Sequence, residues 1–130
     1  MHKFNQKELV GIAALLIHAA KIDEIYSDNE KKIISNFIKN NTNDDILLKK
    51  ITIEAEELES NSNQLLSFTK IIKDSSMEMK SEIIEQLWKI LISDEKVDQY
   101  ESNLMRRICG LIYFSDKMSG EIKLKLLNKK

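Results

Sequence analysis

An acidic pattern occurs twice in this chain, each time between two apolar helical stretches. Asp23-Glu24-Ile25-Tyr26-Ser27-Asp28-Asn29-Glu30 is answered by Asp94-Glu95-Lys96-Val97-Asp98-Gln99-Tyr100-Glu101. The same spacing relates Ile12 to Ile83 and Leu16 to Leu87 before the pattern. After it, Ile33, Ile34 and Phe37 correspond to Leu104, Met105 and Ile108. A whole unit of helix, acidic turn and helix therefore recurs, one supersecondary solution used twice.

The segments around these turns are helical in period. Apolar residues return at i, i+3, i+4 and i+7, and proline is absent. Only Ile51-Thr52-Ile53 alternates locally, inside a longer helical pattern. The fold class expected is all-α. Seven helices follow from the caps, because a Ser, Asn or Asp side chain accepts from exposed N–H groups and a Glu three residues on returns the bond. Asn5 with Glu8 opens the first helix, with a buried stripe of Leu9, Ile12, Ala13, Leu16, Ile17 and Ala20. Ser27 with Glu30 opens the second and Asp98 with Glu101 the sixth. Polar breaks at 40–43, 60–63 and 74–76 bound the third and fourth, the fifth runs from Met77 to Ile92, and Ser115 opens the last. No linker divides the chain, so residues 1–130 form one domain. At this length a chain buries about two thirds of its unfolded surface and needs no staple. The two repeat units are expected to pack about a pseudo-two-fold, with the third and fourth helices bridging them.

Charge narrows the function. Lys and Arg nearly balance Asp and Glu, for a formal net charge of −1, and only Arg106 and Arg107 are arginines. Nucleic-acid binding wants a basic field and arginine forks, so it is not expected. Cys109 is the single cysteine and lies in an apolar stretch, which marks a buried thiol rather than a nucleophile. His2 and His18 are far from it in sequence, and His18 reads as a surface or boundary residue. The apolar run Leu9 to Ala20 is too short to span a bilayer. Glu8 directly before it is unlike a signal peptide. A soluble, cytoplasmic, non-enzymatic protein is expected. No nucleophile, phosphate loop or cofactor fingerprint accompanies the carboxylates.

The acidic turns have two readings. Glu30 and Glu101 stand at capping-box spacing, worth about 1 kcal/mol each. Asp23 and Asp94 fold a turn by accepting backbone N–H bonds. Alternatively the carboxylates hold a hard cation, Ca²⁺ or Mg²⁺, which suits clustered oxygen ligands. If the turns face each other, Asp23, Glu24, Asp94 and Glu95 converge. The spacing is not an EF-hand, since Ile25 and Lys96 fall where that loop needs oxygen ligands.

The paired pattern resembles the tellurite-resistance TerB-like family. Its hallmark is a small or apolar helix end followed by Asp-Gly-x-aliphatic-x-x-x-Glu, near both ends of a seven-helix domain. The matching stretches are Ala19-Ala20-Lys21-Ile22-Asp23 through Glu30 and Ile92-Ser93-Asp94 through Glu101, with Tyr26 and Val97 at the aliphatic position. Leu111-Ile112-Tyr113-Phe114-Ser115 is similar to the family's approach to its last helix. Glu24 and Glu95 replace the family's glycine, which makes each turn more acidic. The resemblance implies a cytoplasmic, non-catalytic stress-response module of the tellurite-resistance type. In some members it implies divalent-cation binding and protein partners at the membrane. The acidic positions it carries over are Asp23, Glu30, Asp94 and Glu101, with Glu24 and Glu95 as additions. The alternative is a plain helical interaction domain whose acidic turns are only caps. Trp88 distinguishes surfaces here: buried it is core, exposed it marks a contact.

Overall fold

The structure is a computed structural model that describes residues 4–21, 27–42, 44–62, 64–92 and 99–128, the side chains of 99–102 excepted. Seven α-helices and no strands occur among the described residues: α1 (Gln6–Ala20), α2 (Asp28–Asn41), α3 (Asp45–Ser60), α4 (Leu66–Ile72), α5 (Met77–Ile92), α6 (Gln99–Ile112) and α7 (Asp116–Asn128).

Local chemistry sets the helix starts. At α1 the Asn5 side chain accepts from Glu8 N at 2.8 Å while Glu8 Oε1 accepts from Asn5 N at 2.9 Å. Ser27 and Glu30 form the same reciprocal pair at α2, at 3.1 and 2.8 Å. Asp44 caps α3 by accepting from Ile46 N and Leu47 N. Ser115 caps α7 through Lys117 N and Met118 N. Each satisfies N–H groups that have no partner inside the helix. The alternating Ile51-Thr52-Ile53 is helical. Ile51 is buried, Ile53 is exposed, and the Thr52 hydroxyl donates to Leu48 O.

α1 departs from the expected single stripe. Gly11 through Ile17 is buried on every side, and α1 packs against α2, α3, α4 and α5. The reason is visible in the run itself: it has no polar side chain, so no face favours water. The remaining helices are arranged around this one. Each fully buried Leu or Ile contributes about 1.5–3 kcal/mol. The two repeat units meet where α5 packs on α1 and α2. The bridging differs from expectation. α4 does bridge, between α1 and α6, but the main neighbours of α3 are α1 and α2, within the first unit.

The end of α6 carries a strained residue. Tyr113 has φ 59°, and Phe114 N–H bonds back to Cys109 O at 2.8 Å, closing a Schellman-type cap. Glycine usually fills this left-handed position because a Cβ is penalised there. Tyr113 is 71% exposed and only lies 6.0 Å from the Lys80 ammonium. Tyr113→Gly is therefore expected to raise stability by up to about 1 kcal/mol, the relief exceeding the added chain entropy of glycine. Urea midpoints measure this. A lower midpoint would show that the ring contact outweighs the strain.

Candidate functional site

The turns singled out by sequence fall in a specific relation to the fold. α1 and α5 lead into them, α2 and α6 lead out, and α1 packs directly on α5. Ala20 and Ile92, the last residues of α1 and α5, are buried, so the helices leading into both turns end in the core. Asp23, Glu24, Asp94 and Glu95 themselves lie outside the described residues, as does the side chain of Glu101 and the expected cap Asp98. Glu30 is described. It is buried, and its Oε1 accepts from Ser27 N in the capping box. This gives Glu30 a structural task at the α2 N-terminus, where its charge also complements the helix dipole. Among the described residues, no group of three or more His, Cys, Asp and Glu side chains could hold a metal ion.

A polar cluster stands at the end of α1. Glu59, near the end of α3, accepts from Lys21 Nζ at 2.8 Å through Oε1. Its Oε2 lies 3.3 Å from His18 Nδ1. His18 also packs at 5.9 Å against Phe68 of α4. The cluster ties the C-terminal ends of α1 and α3 together just ahead of the first acidic turn. Burial pushes the Glu59 carboxyl up, but the bonds and charges of Lys21 and His18 together hold it below the ordinary carboxylate range. From sequence alone His18 is a surface or boundary residue. Its partner lies in another helix, and only the one-turn spacing of His18 and Lys21 hinted at a shared face.

The direction of the Glu59 shift fixes a pH dependence. The folded chain holds the proton less tightly than the unfolded chain, so falling pH favours unfolding. The contribution is complete above the unfolded glutamate value, near pH 5 and upward, and is lost as pH drops through the lower folded value. Lys21 and His18 are partly exposed, so the contribution is small, about 1 kcal/mol at neutral pH. Glu59→Gln is expected to lower stability at pH 7 and to lose that difference in strong acid, read from urea midpoints across the range. A difference that grew on acidification would contradict the ion-pair origin.

The remaining titratable and aromatic candidates are core. Trp88 is buried, and its Nε1 donates to Ser119 Oγ at 3.0 Å. The Cys109 thiol of α6 lies beside the Ser119 hydroxyl. Burial pushes that thiol up, the Ser119 contact opposes this, and the Asp116 charge adds to the rise. Cys109 is thus an unreactive buried thiol, as its sequence surroundings indicate. No helix among the described residues is long and apolar enough to cross a membrane.

Neither the curated proteins nor the solved structures include a match to this chain. The family described as "Tellurite resistance protein TerB" matches residues 9–124. That span takes in both acidic turns and reaches from the first helix into the last. The chain belongs to the TerB tellurite-resistance family.

Proposed function

We propose that this protein is a non-catalytic, cytoplasmic stress-response module of the TerB type, which binds a divalent cation at its paired acidic turns and through them engages a protein partner. The observation that carries the reading is the doubled pattern itself. Asp23 and Asp94 recur at matched positions, and the helices that lead into them pack on each other. Capping accounts for Glu30 without any ion, while turn formation accounts for Asp23 and Asp94 only in part, since other turn residues would serve. Glu24 and Glu95 add two more oxygen donors where Ca²⁺ or Mg²⁺ would gain from carboxylate charge. Cation binding would join the two turns and alter the surface offered to a partner.

Calorimetric titration with Ca²⁺, Mg²⁺, Mn²⁺ and Zn²⁺ tests the proposal. The expected result is heat with at least one hard cation, abolished in Asp23→Ala/Asp94→Ala. No heat with any ion, or equal heat in the double variant, removes the cation. The capping box at Ser27 and Glu30 favours the second reading, an interaction domain with cap-only turns. Under it, Glu30→Ala costs about 1–2 kcal/mol of stability and Asp23→Ala/Asp94→Ala changes nothing but local turn stability.

A further inference from the structure

We propose that the cleft between α1, α3 and α4 binds a small single-chain amphiphile with an anionic head, such as an alkyl phosphate. This rests on no property of the acidic turns. Two adjoining hollows, of about 480 and 750 Å³, share Lys7, Leu58 and Ile71 as lining residues and so form one cleft. Each lies in the size range of small-molecule sites. The two ends differ in chemistry. One is floored by the aliphatic side chains of Val10, Leu58 and Ile71. The other is lined by Lys7, Lys70 and Lys73 together with Ser62 and Ser67.

Charge complementarity selects the occupant. None of the three lysines forms an ion pair with a carboxylate among the described residues. Glu8, which also lines this end, is engaged in the α1 capping box and lies 3.5 Å from the Ser75 hydroxyl. Glu54 lines only the aliphatic end. The head of the cleft therefore carries three lysines against the single carboxylate of Glu8, a net positive charge with hydrogen-bond donors that a phosphate or carboxylate satisfies. The floor stays apolar and partly exposed, which a short hydrocarbon chain covers. A free anion would leave the floor wet, and a neutral chain would leave the lysines unpaired. Ile71, which lines both hollows, packs directly on Gly11 of α1, where a Cβ would stand 2.9 Å from its Cδ1.

Octyl phosphate, below its micelle concentration, is titrated into the full chain and followed by amide and methyl NMR. Shifts are expected at Val10, Leu58 and Ile71 and along the α4 lysines. Affinity is expected to fall about threefold for each methylene removed toward butyl phosphate. Lys70→Glu/Lys73→Glu is expected to weaken binding at least tenfold while the rest of the spectrum keeps its dispersion. Octanol binding as tightly as octyl phosphate would overturn the anionic head. Inorganic phosphate binding as tightly would overturn the chain. Binding only to phosphatidylglycerol vesicles, with no response to octyl phosphate, would assign the lysines to a membrane surface and overturn the cleft. Shifts confined to other helices, or no shifts, would also overturn it.

Discussion

Trp88→Ala is expected to lower the unfolding free energy by about 4 kcal/mol, the largest loss from any single side chain considered. The indole is only 4% exposed, so truncation removes one of the largest apolar bodies in the core and leaves a cavity. Two helices lose a shared contact. Trp88 belongs to α5 and Ser119 to α7, and the indole N–H donates to the hydroxyl between them. Lys123 of α7 lies 5.0 Å over the ring and shields its outer face. A domain of this kind has about 5–15 kcal/mol in total, so the variant would be near its limit at physiological temperature. Two milder changes separate packing from hydrogen bonding. Ser119→Ala leaves the indole N–H buried without its acceptor and is expected to cost about 1–3 kcal/mol. Trp88→Phe keeps most of the apolar body and should cost less than Trp88→Ala. Circular dichroism in urea reads all three, since the only tryptophan fluorophore is removed in two of them. A loss under about 1.5 kcal/mol for Trp88→Ala would show that α5 and α7 are not held together here.

How much of this was legible beforehand depends on sequence distance. Helix starts are local chemistry, and Asn5 with Glu8, Ser27 with Glu30 and Ser115 all cap where their spacing indicated. Periodicity is local too, so α5 runs from Met77 to Ile92 as read. The acidic turns were recognisable for the same reason, as a short pattern repeated, and the family match spans both. Non-local facts were not legible. Nothing near Ser119 says that a tryptophan in another helix donates to it. Nothing near His18 names Glu59. The all-round burial of α1 has a signal beyond its helical stripe: a run from Gly11 to Ile17 with no polar residue has no outward face. Whether Asp23 and Asp94 converge is also non-local, since it depends on how α1 and α5 cross. Spacing within either turn carries no information about it.

Gly11→Leu is expected to cost about 3 kcal/mol, because glycine at this position is a packing requirement. A Cβ placed on Gly11 would stand 2.9 Å from Ile71 Cδ1, 3.1 Å from its Cγ2 and 3.2 Å from its Cβ. The first contact can be relieved by rotating the end of Ile71, but the other two lie close to the α4 backbone. Gly11→Ala adds only that Cβ and gains helix propensity, about 1 kcal/mol, so the clash and the gain nearly offset. Leucine adds three more carbons in a core that cannot widen without moving α4, and overpacking of this kind costs 1–3 kcal/mol or more. A double-mutant cycle isolates the contact. Ile71→Ala alone loses buried aliphatic surface, yet combined with Gly11→Leu it vacates the space the leucine needs. The pair is expected to be more stable than the sum of the single losses by at least about 1 kcal/mol. Strict additivity would mean that α4 does not rest on Gly11. Gly11→Leu also pushes Ile71 out of the floor shared by the two hollows. If the cleft binds an alkyl phosphate, the same substitution should weaken that binding more than Gly11→Ala does, at temperatures where both variants remain folded.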